Sequence, residues 1–289
     1  MRAPAVEAWN LSKRYGAVGA LKEASFFAPG NAITVLLGEN GAGKTTAIKL
    51  ILGFLRPDSG WLDSWVSSAA YVPDRPVFFG WLRGREILEA TWRAFRIPPA
   101  DVGRRVAGLC ERIGFDPELL NRHVSGYSLG NQKKFSYLQS LLLSPGLLVV
   151  DEPFSSLDPP AIRSLRSLFL DLKREGTTLL LSSHLISEME RICDSFVIIR
   201  AGRVIIQEGL AALRENYVFV RLPKGLPAPK ITNRHDPAGS YHWSRMSSGV
   251  ITVLADKDKA HALAEAAAGS GGVEVEPPTL ESLYFFFTS

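Results

Sequence analysis

Only two cysteines occur in the sequence, Cys110 and Cys193, far apart and outside any CxxC pair or histidine-rich neighbourhood. That argues against a disulfide framework or a zinc centre and suits a reducing cytosol. A long apolar run is also missing. The most apolar stretch, Leu138 to Val150, is cut by Ser140, Ser144, Pro145 and Gly146, and falls short of the roughly 20 residues that span a bilayer. The opening residues MRAPAVEAWN lack the apolar core of a secretory signal, so the chain is expected to stay where it is made. Charge of one sign is scarce: 33 Lys and Arg against 29 Asp and Glu leave a net +4, and the basic residues are scattered. No stripe tracks a nucleic-acid backbone, and no nucleic-acid partner is expected. An internal repeat is absent too.

What is present is enough apolar matter for a real core, 46% of 289 residues, and by size one large domain with a small appendage. From Val6 to Leu37, short apolar runs separated by turn residues such as Pro29-Gly30-Asn31 predict several strands. Ala32 to Leu37 is apolar apart from Thr34, the pattern of a strand buried on both faces. A helix is expected next, with Ile48, Ile51, Leu52 and Leu55 on one face and Pro57 as its stop. Residues 81–143 carry helical patterning broken at Pro98-Pro99 and Asp116-Pro117, a helical insertion. The sheet resumes at Leu147 to Val150. A helix from about Pro159, a strand from Thr177 to Leu181 and a hairpin around Ala201-Gly202 complete the main domain. The alternation predicts an α/β domain with a mainly parallel sheet over 1–209, an antiparallel β portion at its N-terminal side, and an α+β appendage over 210–289. In the appendage, Leu222 to Lys230 reads as a loop, Val250 to Leu254 as a strand and Ala260 to Ala268 as a helix.

The segment Gly38-Glu39-Asn40-Gly41-Ala42-Gly43-Lys44-Thr45 matches the GxxxxGK[ST] phosphate loop, between an expected buried strand and an expected helix that also takes in Thr46. Glycines let backbone N–H groups turn inward around phosphate oxygens, the helix N-terminus adds its positive end, Lys44 reaches the β- and γ-phosphates, and Thr45 offers a Mg²⁺ ligand. Leu147 to Glu152 ends an apolar strand in two carboxylates, at the edge where parallel sheets bind ligands. Asp151 suits Mg²⁺ and Glu152 can take a proton from an attacking water. Alone, a strand ending in Asp-Glu reads equally as solvated carboxylates; beside a phosphate loop it points to ATP. His184 follows the next strand on the same edge, within reach of a γ-phosphate, although a lone histidine there is more often structural.

Over about residues 5–209 these motifs, in this order, resemble the ATP-binding subunits of ABC transporters. The resemblance implies a P-loop ATPase core and the cofactors ATP and Mg²⁺. It implies that Tyr15 stacks on adenine, although Tyr15 by itself reads equally as core. Ser128-Leu-Gly130-Asn-Gln132, followed by Lys133-Lys134, resembles the signature LSGGQ, which completes the ATP site of an opposing subunit; alone it reads as a helix cap. Ser155-Ser-Leu-Asp158 resembles the D-loop, and His184 falls at the switch histidine. Two positions depart from the pattern. Asp74 stands where the Q-loop glutamine is usual, so it is read as a binder of nucleotide and metal, and the signature carries Tyr127 and Asn131 for its leading leucine and second glycine.

The implied partners are transmembrane permease subunits on separate chains and a second ATPase subunit, an identical copy in preference to a different one, at the cytoplasmic face of the membrane. Phe78, Phe79 and Trp81, in a Gly/Pro-punctuated loop, are expected to meet the permease, while Trp92 and Phe95 read equally as internal packing. The tail Pro277 to Phe287 resembles that of ATPases serving exporters, and its phenylalanines read as docking either on the appendage or on a second copy. The rival readings are a soluble ABC ATPase of translation or repair, and a regulatory subunit that binds ATP without hydrolysing it.

Overall fold

The structure is a computed structural model that describes residues 4–222, 243–247, 250–257 and 274–288. The loop expected beyond Leu222 and the alanine-rich helix expected near Ala260 lie outside the described residues. The chain forms two compact units, residues 1–207 and 208–289.

In the first unit a six-stranded sheet has the order β5-β6-β7-β3-β8-β9. Its strands are β3 (Ile33–Leu37), β5 (Ala69–Val72), β6 (Leu147–Asp151), β7 (Thr178–Ser183), β8 (Ser195–Arg200) and β9 (Arg203–Gly209). The pairs β5/β6, β6/β7, β7/β3 and β3/β8 are parallel. Every residue of β3, β6 and β7 is buried, which is why these segments read as largely apolar rather than alternating, with Thr34, Asp151 and Ser182 among the few polar exceptions. β8 turns into β9 through Ala201 and Gly202, both at positive φ, the two-residue turn whose twist matches a hairpin. A second, antiparallel sheet has the order β2-β1-β4, from β1 (Pro4–Tyr15), β2 (Val18–Pro29) and β4 (Ser59–Ser64).

Helix α1 (Lys44–Ile51) packs Ala47, Ile48, Leu50 and Ile51 among Val6, Leu11, Leu21 and Phe26 of the antiparallel sheet and Leu36, Val149, Leu180 and Val197 of the parallel one. Burying a side chain such as Ile48 contributes about 1.5–3 kcal/mol, so α1 is held by both sheets at once. The helix stops earlier than expected. Gly53 adopts φ 72, its N–H donates to Leu50 O (3.0 Å) and that of Phe54 to Lys49 O (2.9 Å). This pair of bonds is the left-handed glycine cap that satisfies the last helical carbonyls. Pro57 therefore plays no part in the stop, and Leu52 and Leu55 reach the core from beyond the helix.

Residues 81–143 hold α2 (Gly84–Ala94), α3 (Pro99–Ile113), two short 3₁₀ turns and α4 (Leu129–Leu142). α5 (Pro159–Arg174) and the short α6 (Ile186–Glu190) follow β6 and β7. In the second unit, α7 (Leu210–Asn216) leads into an antiparallel sheet ordered β11-β12-β10-β13. Its strands are β10 (Tyr217–Leu222), β11 (Trp243–Ser247), β12 (Val250–Asp256) and β13 (Glu274–Glu276), and α8 (Leu280–Thr288) ends the description. Phe286 of α8 packs on Phe219 of β10, ring centroids 5.3 Å apart, and Leu280, Leu283 and Phe287 are buried, while Phe285 stays exposed. Most of the aromatic tail thus docks on its own unit. Among the described residues no helix is long and apolar enough to cross a membrane.

Candidate active site

Four adjacent parallel strands, β5, β6, β7 and β3, end on one edge of the sheet and deliver there, in turn, Asp74, Asp151 with Glu152, His184 and the loop 38–43. The loop admits only glycine at two points. A Cβ on Gly38 would lie 2.4 Å from Ile199 O, and one on Gly43 would lie 2.5 Å from Ala20 O; Gly43 also has φ 114, a region that side chains avoid. Ala47 N–H, bonded to Gly43 O (2.9 Å), is the first to join the α1 ladder, so the N–H groups of Lys44, Thr45 and Thr46 lie in the unladdered first turn, where an anion is favoured.

Lys44 Nζ donates to Gly38 O (2.6 Å) and Glu39 O (3.2 Å), which sets the ammonium under the loop. Burial draws its pKa below the usual lysine range, against the pull of Glu152 and Asp151. Asp151 is buried and accepts from Thr45 Oγ1 (3.3 Å) and from Ser182 Oγ. Glu152 has φ 48, uncommon for a non-glycine residue, and its N–H donates to Ser182 O (3.0 Å). Such a conformation costs about 1–3 kcal/mol and collects at functional sites. It turns the carboxylate toward His184, with Oε2 2.8 Å from Nδ1 and 3.3 Å from the His184 N–H.

A cavity of about 380 Å³ is lined by Tyr15, Ala20, Glu39, Asn40, Gly41, Gly43, Lys44, Thr45, Thr46, Asp74, Asp151 and Glu152. Ten of the residues singled out in the sequence thus meet in one place. Gly38 and Ala42 support the loop from behind, and His184 touches the cavity through Glu152. Ser128, Gly130 and Asp158 do not line it. Ser128 Oγ accepts the Asn131 N–H (3.3 Å) at the start of α4, and Asp158 Oδ1 accepts the Ala161 N–H (2.9 Å) at the start of α5.

Sequence reasoning missed Ala20 and Glu39 as lining residues, Ser182 as the partner of Asp151, Ser155, whose Oγ donates to Asp74 Oδ1, and Lys133 beneath the cavity. A visible signal for Ser182 was its hydroxyl at the end of an otherwise apolar strand. Phe78 also differs from expectation: it is half-buried on Phe135, ring centroids 5.1 Å apart. Phe79 and Trp81 are 64% and 70% exposed, as is Phe95 at 64%, whereas Trp92 is half-buried.

The cavity suits a magnesium nucleotide. Gly41, where an added Cβ would meet nothing within 4 Å, faces open space in the loop, and Thr45 and Asp151 present hard oxygen donors side by side. Among the described residues no three His, Cys, Asp or Glu side chains cluster as a closed metal cage.

Comparison with known proteins agrees. The family model described as ABC transporter matches residues 21–155. An ABC-type transporter ATP-binding protein of Bacillus subtilis, EcsA, is 32% identical over 219 residues, spanning 72% of this chain and 88% of its own. A solved ATP-binding subunit of an ABC transporter is 32% identical with a TM-score of 0.66, covering 72% of this chain and 91% of that one. The fold is also that of a dimeric ATP-binding cassette solved in a post-hydrolysis state with ADP and Pi, 17% identical with a TM-score of 0.65 over 71% of this chain and 98% of that one.

Proposed function

The chain belongs to the ATP-binding subunits of ABC transporters and hydrolyses ATP, and we propose that it powers an exporter as one of two identical subunits, each closing over the other's nucleotide. The observation that carries this reading is the split of its motifs. Lys44, Thr45, Asp151 and Glu152 line one cavity, whereas Ser128 and Gly130 stand outside it at the start of α4. Under this reading one chain holds both halves of a site that it does not itself assemble, and two copies supply both.

Under this reading the loop N–H groups and Lys44 hold the phosphates, and Tyr15 stacks on the base. Mg²⁺, when bound, supplies positive charge across the phosphate oxygens, with Thr45 and Asp151 holding it and Asp74 as a further oxygen donor. Glu152 accepts a proton from the water that attacks the γ-phosphorus, and the bond to the departing ADP breaks as the new P–O bond forms. His184, already against Glu152 Oε2, fixes that carboxylate and faces the charge that develops on the γ-phosphoryl group. Ser128 and the Gly130 backbone of the second copy close the site.

Val77, Phe79 and Trp81 form an exposed apolar group between β5 and α2, next to Asp74. They support docking of a permease subunit at the cytoplasmic face of the membrane, and the aromatic tail supports export as the direction. The test is Glu152→Gln: a loss of turnover of about 10²–10⁴-fold with ATP binding retained is expected, and turnover at the wild-type rate would sink the mechanism.

A further inference from the structure

One face of α4 is polar where a helix packed on a sheet is ordinarily apolar. Lys133, Tyr137 and Ser140 sit at i, i+4 and i+7, all buried, and each donates to the main chain of a strand or the segment after it. Ser140 Oγ reaches Tyr71 O (3.2 Å) and Tyr137 Oη reaches Pro153 O (3.3 Å). Lys133 Nζ reaches Pro73 O (2.9 Å), Asp74 O (3.2 Å) and Asp151 O (3.1 Å). An ammonium carries three protons, and here three carbonyls take them, two after β5 and one at the end of β6.

Lys133 is 2% exposed, as deep as the core. Burial draws its pKa down to about 8, against the pull of the Asp74, Asp151 and Glu152 carboxylates. The lysine desolvates a charge and in return gives three carbonyls a donor that an apolar side chain would not supply. Geometry offers another reason. The carbonyls it grips belong to Asp74 and Asp151, whose side chains line the chain's own nucleotide cavity. The helix it sits on has Ser128 as its N-cap, five residues away, about 7.5 Å along the axis.

We propose that Lys133 is a positioning residue that carries the state of a chain's own nucleotide cavity to the Ser128 seat it offers to the second copy. The inference rests on the two-copy reading above. Three bonds to one nitrogen fix α4 against both strand ends, so a shift of Asp74 or Asp151 on binding moves Ser128 with it.

The test uses the full chain, diluted to monomers, with Mg²⁺ and a non-hydrolysable ATP analogue. Amide hydrogen exchange at Asn131 and Gln132, whose N–H groups bond to Ser128, reports on the seat, while calorimetry reports on the cavity. In the wild type, nucleotide should slow that exchange by about tenfold. Lys133→Met should bind the analogue with unchanged affinity yet lose the slowing, and Lys133→Gln, which keeps part of the donor set, should recover some of it. Undiminished slowing in Lys133→Met would overturn the proposal, as would equal losses of affinity and slowing in both variants. If Lys133→Met does not fold, Lys133→Gln decides: its nitrogen has two protons for three carbonyls, partial slowing supports the proposal and full slowing overturns it. A wild type that binds the analogue without any slowing would overturn the proposal alone, and undiluted wild type that stays monomeric with the analogue bound would overturn the two-copy reading.

Discussion

Gly43 and Gly130 both stand at the beginning of a helix, but in opposite surroundings. A Cβ on Gly43 would be driven into Ala20 O at 2.5 Å and Leu21 Cδ2 at 2.9 Å, at a φ of 114. On Gly130 it would meet nothing nearer than Ser156 O, at an ordinary 3.7 Å. Polar groups repeat the contrast. Asp151 is bonded to Thr45 and Ser182 of its own chain, whereas among the described residues the side chain of Ser128 holds only an N–H of its own helix, and its neighbour Leu129 is 69% exposed. The first region is finished by folding. The second is left open by folding, so glycine at 43 answers to this chain's sterics and glycine at 130 does not; the two-copy proposal assigns its completion to another molecule.

The largest expected effect is at the enclosed end. Gly43→Ala combines a backbone clash with a disfavoured φ, and the loop cannot relax without moving β2 or the α1 terminus. ATP affinity should fall by more than about 100-fold, a loss of roughly 3 kcal/mol, as measured by calorimetry. Unchanged affinity would erase the contrast between the two glycines.

At the open end the signs separate. Gly130→Ala should raise stability by about 0.5–1 kcal/mol, because alanine is the better helix former and has room. Thermal melting should move upward and ATP affinity should stay as it is, while turnover drops about tenfold or more if, as proposed, the second copy's phosphate comes to this helix start. Ser128→Ala should also slow turnover, but with a stability loss of about 1 kcal/mol from the vacated cap. A Gly130→Ala chain that is both more stable and fully active would mean that this helix start meets no nucleotide.

The enclosed region was also the more legible one. A glycine-rich loop after a nearly continuous apolar run, and two acids at the end of another, carry their own context, because a strand buried on both faces has no polar alternation to hide it. The end of α1 was misread since Leu52 and Leu55 keep helical spacing; a single glycine, Gly53, stops the helix by its freedom at positive φ, and Pro57 merely follows. Phe78 shares a Gly/Pro-punctuated loop with Phe79 and Trp81, yet its ring meets Phe135, a partner that no local pattern reveals. Lys133 read as a trailing lysine of the Ser128 motif. Its role depends on carbonyls of Pro73, Asp74 and Asp151, brought to it only by the pairing of β5 with β6. Periodicity tells which face a side chain takes, not which backbone waits there.

The smallest expected effect falls at Asp74, which belongs to both regions. Its carboxylate lines the cavity and accepts from Ser155, which lies beside the start of α5, while its carbonyl is held by Lys133 of α4. Asp74→Asn keeps the oxygen that Ser155 needs and removes one negative charge near the metal position. About 1 kcal/mol of attraction for the ion is lost across a partly solvated cavity, so half-maximal turnover should require roughly fivefold more Mg²⁺, with the maximal rate little changed. A titration of ATPase rate against Mg²⁺ measures both. If neither quantity moves, the Asp74 charge does not see the metal, and the residue acts through Ser155 and Lys133 alone, as part of the open region's support rather than of the enclosed site.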